Sequence, residues 1–274
     1  MTKTILITGA TDGLGKEVAR RLAVQGHKVL LHGRNPEKGG SLLSELSSAT
    51  VNNSLEYFNA DLSSLVEVKK LATDILSSQD RLDVLVNNAG IGPRTADSIR
   101  LLSRDGYEIF FAVNYLAGYL LTRELLPLIK ASAPARIINV ASIAQVAVNF
   151  NDPMLERNYS DGLAYSQSKL AQILHTMDLA QQLEGSGVTA NSLHPATLMN
   201  TKMVLDSTAL PDSRTTVDDG ADALERLILN EDLATVSGHY FDCMEDASPD
   251  AQASDAQAVK QLRQLSEDLI AQVY

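Results

Sequence analysis

The stretch Thr4-Ile5-Leu6-Ile7-Thr8-Gly9-Ala10-Thr11-Asp12-Gly13-Leu14-Gly15 decides how the rest of the chain is read. A short apolar run of β-strand character leads into a loop with glycines at 9, 13 and 15, and Leu14–Val24 continues with helical periodicity. Strand, glycine loop and helix in that order suit a dinucleotide pyrophosphate. Gly9 allows the tight turn, Gly13 lets the backbone approach the phosphates, and Gly15 lets the helix pack closely on the strand. The helix N-terminus adds unpaired N–H groups and the positive end of its dipole. Gly9, Thr11, Asp12, Gly13, Leu14 and Gly15 are therefore expected to meet a cofactor, with Asp12 also suited to cap the helix.

Outward from this motif, short apolar runs alternate with longer helix-period segments. Strands are expected at Thr4–Ile7, Lys28–Leu31, Leu55–Asn59, Val84–Asn87, Arg136–Val140, Val188–Leu193 and His239–Phe241. Helices are expected at Leu14–Val24, Glu37–Leu46, Leu65–Leu76, Gly106–Ile129, Leu163–Leu183, Asp219–Leu229 and Val259–Val273. The strands read as continuous apolar runs, as when helices cover both faces of a parallel sheet. The expected fold is α/β: one doubly wound (Rossmann) domain over residues 1–274, with a parallel sheet of about seven strands. The irregular stretches near 92–102, 143–161 and 196–218 are candidate walls of a substrate pocket.

Composition narrows the function. The 274 residues carry 23 Lys and Arg against 34 Asp and Glu, a net charge of −11. That balance disfavours nucleic acid and anionic membrane as partners, since both require concentrated positive charge. One cysteine, Cys243, excludes an internal disulfide and reads as a small buried hydrophobe, and the histidines at 27, 32, 175, 194 and 239 form no metal-ligand pattern, so no metal is expected. No signal peptide and no membrane-length apolar run is seen, and a cytoplasmic protein is expected.

An NAD site would place a carboxylate at the end of the second strand. Here Leu31-His32-Gly33-Arg34-Asn35 offers a guanidinium instead, which suits the 2′-phosphate of NADP, so NAD is the less favoured cofactor. Tyr165 and Lys169 stand at i and i+4 in a helix-period segment and share one face. An ammonium there is expected to lower the tyrosine pKa toward neutral, so that the phenol exchanges a proton with an alcohol or carbonyl.

The ordered set of the glycine loop, Asp61-Leu62, Asn87-Asn88-Ala89-Gly90, Asn114, Ser142, and Tyr165 with Lys169 resembles the short-chain dehydrogenase/reductase family. The stretch Ser237–Phe241 and the closing helix resemble its retinol-dehydrogenase-like and protochlorophyllide-reductase-like branch. The resemblance implies Tyr165 as general acid/base, Lys169 on the nicotinamide ribose, Ser142 on the substrate oxygen and Asn114 holding a proton-relay water. It implies cofactor contacts from Arg34, Asn35, Asp61, Leu62, Asn87, Ala89, Gly90, Tyr165, Lys169, Pro195 and Leu198. After Pro195 the sequence departs from the family's usual Pro-Gly, leaving open whether Asn200 or Thr201 meets the phosphates. The implied reaction is hydride transfer between NADP and a small-molecule carbonyl or alcohol. The alternatives are a dinucleotide-binding regulatory protein without turnover, or a carbon–carbon double-bond reductase. The resemblance also makes a homodimer or tetramer possible, through pairing of Gly106–Ile129 and Leu163–Leu183. The first helix must also cover its own sheet, so periodicity leaves dimer, tetramer and monomer open.

Overall fold

Alternate residues of each apolar run face opposite ways, which accounts for two separate cores on one sheet. Leu6, Leu30, Leu85, Ile137 and Ala190 join one buried cluster, while Ile5, Ile7, Val29, Leu31, Val84, Val86 and Ile138 join the other. Each such aliphatic side chain contributes roughly 1.5–3 kcal/mol when fully buried. The computed structural model describes residues 2–50, 52–93, 99–207, 212 and 214–274.

The elements run β1 (Thr4–Ile7), α1 (Gly13–Val24), β2 (Lys28–Gly33), α2 (Pro36–Thr50), β3 (Leu55–Asn59), α3 (Leu65–Ser78) and β4 (Val84–Asn87). A π-helical segment (Phe111–Leu116) then leads into α4 (Ala117–Ala131), followed by β5 (Ala135–Val140), α5 (Asp161–Gln182) and β6 (Val188–His194). The chain closes with α6 (Lys202–Leu205), α7 (Val217–Leu229), β7 (Tyr240–Asp242), β8 (Glu245–Ala247) and α8 (Ala256–Ala271). The sheet order is β3-β2-β1-β4-β5-β6-β7-β8. All neighbours are parallel except β7 and β8, which form an antiparallel hairpin. The order reverses between β1 and β4, the switch point where ligands bind in doubly wound sheets. The expected fold is present, with β8 as an addition.

One expectation is corrected. The helix expected over Gly106–Ile129 begins later: Gly106 sits at φ +86 in a turn, and Glu108 forms an isolated bridge to Leu102. The buried Glu108 side chain then accepts from Phe111 N at 2.7 Å as the helical segment starts. Helix α8 lies against α4 and α5. Tyr115 and Ser266 hydroxyls pair at 2.6 Å, Tyr119 Oη donates to Glu267 at 2.5 Å, and Arg263 pairs with the buried Asp178 at 3.0 Å. The chain's own apolar stripe, with Leu262, Leu269 and Ile270 buried, covers that surface.

Candidate active site

The phosphate loop has the geometry its glycines demand. Gly9 sits at φ +67, and a Cβ there would lie 2.8 Å from Ala89 Cα; one on Gly15 would lie 2.3 Å from the Gly9 carbonyl oxygen. Asp12 caps α1 by accepting from Gly13 N at 2.8 Å. Residues outside the motif hold the loop. Thr8 Oγ1 accepts from Asn88 N and Ala89 N at 2.9 and 3.0 Å, and Asn88 Nδ2 donates back to Thr8 O at 2.8 Å. Buried His32 accepts from Gly9 N at 3.3 Å through Nδ1, while Nε2 lies 3.1 Å from Ala60 O. Burial lowers its pKa to about 4, so the ring is neutral and Nε2 carries the proton donated to Ala60.

At the end of β2, Arg34 and Asn35 are exposed, and Asn35 Oδ1 accepts from Lys38 N at 2.9 Å. Arg34 lies near Asp61: burial raises that carboxyl, but hydrogen bonds from Ser63 and the charges of Arg104 and Arg34 outweigh it and lower the pKa. Leu62 is buried beside them. Asn87 Nδ2 donates to Thr122 Oγ1 and Asn139 Oδ1, both at 2.9 Å, which ties β4 to α4 and β5. Its buried Oδ1 has no partner among the described residues, and Asn87 lines a small cavity with Thr8, Leu62, Ala89 and Asn114. Ala89 and Gly90 continue past it at the switch point.

The catalytic candidates converge where β4, β5 and α5 meet. Asn114 lies inside the π-helical segment, a local rewinding common at functional sites. Its Oδ1 accepts from Ile91 N at 2.8 Å, and its Nδ2 donates to Ile91 O at 3.1 Å and to Ser168 Oγ at 3.0 Å. A Cβ on Gly90 would meet Asn114 Oδ1 at 3.3 Å and Lys169 Nζ at 3.5 Å, so both groups border the same glycine. Ser142 follows β5; its Oγ accepts from Ala144 N at 3.1 Å and lies close enough to the Tyr165 phenol to bear on its pKa. Phe110 packs edge-on against Tyr165 with ring centroids 6.4 Å apart.

Lys169 Nζ lies 5.6 Å from the Tyr165 ring centroid. It donates to Val140 O at 2.9 Å and to Gln172 Oε1 at 3.0 Å, and burial lowers its pKa to about 7. The expected lowering of the Tyr165 pKa is not what the geometry produces. Burial pushes the phenol above its ordinary value, and the Ser142 side chain only opposes that shift. The ammonium is held by backbone and amide oxygens, not by the phenol oxygen.

Beyond β6, Pro195 is buried and Leu198 adopts φ +51, its carbonyl accepting from Arg214 N at 2.9 Å. Asn200 is exposed and ties to Val217 N at 2.9 Å, whereas Thr201 Cγ2 would stand 3.1 Å from a Cβ on Gly13. Thr201 thus borders the phosphate loop and Asn200 does not. The 143–161 loop is fastened from both sides: Gln167 bonds Asn149 N and Pro153 O at 3.0 and 2.9 Å, and Gln252 accepts from Val148 N at 2.6 Å. Of the other expected loops, residues 94–98, 208–211 and 213 lie outside the described residues. Gln172, Ser168, Thr8, Asn88 and His32 were not among the sequence candidates. Their roles come from neighbours across the fold.

Sheet, loop and Ser–Tyr–Lys cluster together define a dinucleotide-dependent oxidoreductase fold, and comparison with known proteins agrees. Residues 3–210 match the family described as short chain dehydrogenase. Human retinol dehydrogenase 13 is 37% identical over 276 residues, covering 95% of this chain and 82% of the relative. Mouse retinol dehydrogenase 12 is 37% identical over 252 residues, covering 88% and 78%. Among solved structures, 3-ketoacyl-(acyl-carrier-protein) reductase from Brucella melitensis, complexed with NADH, superposes with a TM-score of 0.69 at 26% identity, covering 88% of this chain and 96% of that one. The Pseudomonas aeruginosa RhlG/NADP complex gives 0.71 at 25% identity, covering 88% and 94%. The chain belongs to the short-chain dehydrogenase family, on its retinol-dehydrogenase-like branch. No helix among the described residues is long and apolar enough to cross a membrane.

Proposed function

We propose that this enzyme interconverts an apolar carbonyl compound and its alcohol with NADP as the hydride carrier. The observation that carries the reading is the meeting of Ser142, Tyr165 and Lys169 in one place, with Lys169 Nζ 5.6 Å from the Tyr165 ring centroid and the Ser142 side chain close enough to bear on the phenol. The surrounding residues fit a dinucleotide phosphate. Gly13, at φ +49, has the Thr201 methyl 3.1 Å from where a Cβ would stand, and α1 directs its N-terminus there. Exposed Arg34 supplies the charge a 2′-phosphate needs, at about 1.5–3 kcal/mol per charge-assisted hydrogen bond.

When bound, the nicotinamide supplies the hydride. Ser142 holds the carbonyl oxygen of the substrate, and Tyr165 O–H gives that oxygen its proton. In the reverse direction the same oxygen takes the proton back from the alcohol. The Lys169 ammonium stabilises the phenolate as it forms. Asn114, fixed by Ile91 and Ser168, borders Gly90 together with Lys169 and positions a water between them.

An apolar substrate follows from the rim. Ile143 is 54% exposed directly after Ser142, Met203 is 39% exposed against Gly92, and Val146, also 39% exposed, donates its N–H to Ser166 O next to Tyr165. Retinol, for which the relatives are named, is itself an apolar alcohol. Following NADPH absorbance across aldehydes and ketones from short and polar to long and apolar, retinal included, tests the reading. Turnover that rises with apolar length supports it. Tight NADPH binding without turnover on any carbonyl would show a binding protein instead.

A further inference from the structure

The histidines are dispersed in sequence, yet the sheet brings one of them to two further donors. His194 and Asp242 are Cα partners on the parallel strands β6 and β7, so their side chains leave the same face of the sheet. Alternation would send the next side chain, Cys243, to the opposite face. Instead Cys243 takes φ +53, its N–H donates to the His194 carbonyl at 2.7 Å, and its Sγ lies 3.5 Å from Asp242 Oδ1. A ring nitrogen of His194, a carboxylate oxygen of Asp242 and Cys243 Sγ thus lie within 4.8 Å of one another. His194 is 5% exposed and its ring is held from Nε2 by Thr197 Oγ1 at 3.0 Å, whereas Asp242 and Cys243 are half-buried. The group has a buried wall and an open side.

We propose that His194, Asp242 and Cys243 form a binding site for one borderline-soft divalent cation of the zinc type. A nitrogen, an oxygen and a sulfur donor make the mixed set zinc accepts, with bonds of about 2.0–2.3 Å and a fourth position left to water on the open side. Ligand atoms around such an ion stand roughly 3.3–3.8 Å apart, so side-chain rotations of about 1 Å draw the three donors together. Calcium and magnesium require more oxygens than one carboxylate provides. Carboxylate and thiolate together balance the charge of the ion. Binding breaks the Cys243 S–H bond: the proton leaves to solvent and the sulfur electron pair goes to the metal.

The site joins the end of β6, where the segment carrying Leu198 and Thr201 begins, to the β7–β8 hairpin. An occupied site ties the two together.

The test is titration of the metal-stripped full chain with Cd2+ and Zn2+, followed by the thiolate-to-cadmium absorbance band and by calorimetry. One ion per chain is expected, with the band and a raised Tm. Cys243→Ser should abolish the band and weaken Zn2+ at least about ten-fold, and Asp242→Asn should keep the band but weaken Zn2+ similarly. Sub-stoichiometric binding overturns the proposal. So does an affinity for Zn2+ unchanged by Cys243→Ser, or unchanged by Asp242→Asn, which would leave a thiol acting alone. None of these readouts depends on turnover.

Discussion

His175→Phe tests how α5, which carries Tyr165 and Lys169, is held in place. His175 is 7% exposed, and neither ring nitrogen has a hydrogen-bond partner among the described residues. It is wedged against Tyr119 and Tyr115, with ring centroids 4.7 and 6.2 Å away. Burial lowers its pKa to about 3. For a base depressed in the folded state, the unfolded chain binds the extra proton, so stability is complete above the unfolded pKa of about 6.5 and is lost as pH falls toward the folded value. Between about pH 7.5 and about pH 5 the folded ring stays neutral while the unfolded one charges. That differential is about 1.5 pH units at 1.36 kcal/mol each, or about 2 kcal/mol.

Phenylalanine keeps the ring and removes two unpaired polar atoms, which should stabilise the protein by roughly 1–3 kcal/mol at about pH 7.5. Urea unfolding of both proteins at the two pH values should show the gap widening by about 2 kcal/mol at the lower one. His32 and His194, also depressed by burial, lose stability equally in both proteins and cancel in the difference. A gap that does not change with pH would refute the reasoning.

Three further outcomes follow from the site and the fold. Arg34→Gln should weaken NADPH binding by about ten-fold or more and leave NADH unchanged, as read by titration; an equal loss for both would remove Arg34 from the 2′-phosphate. Gln172→Leu deletes one of the two oxygens that accept from Lys169 Nζ and should lower kcat by about ten-fold with NADPH affinity nearly constant. Wild-type kcat in that variant would make the contact incidental. Light scattering should give the mass of a single chain, because α8 covers the α4–α5 surface; a stable dimer through that surface contradicts the packing.

The strands and the glycine loop were legible because their signals are local: a doubly buried strand must be apolar throughout, as in Val84-Leu85-Val86. β8, Glu245-Asp246-Ala247, shows no such pattern, since it pairs with β7 through backbone alone and is largely exposed. The π-helical segment at Phe111–Leu116 buries the same kinds of residues as an α-helix would, so periodicity could not reveal it. Tyr165, Ser142 and Lys169 were recognised as an ordered set and the fold brings them together. What their environment does to them was not legible. The bonds from Lys169 to Val140 and Gln172, and the burial that raises the Tyr165 pKa, depend on β5 and α5 meeting in space. The same holds for α8, whose apolar stripe announced a docking helix but not its partner surface.

The most direct measurement is the initial rate of NADPH-dependent reduction of a long apolar aldehyde by Tyr165→Phe, with NADPH affinity measured alongside. The variant should lose turnover by about a hundred-fold or more while binding NADPH within a few-fold of wild type. Turnover above about a tenth of wild type in that variant would contradict the role of Tyr165 as the proton donor.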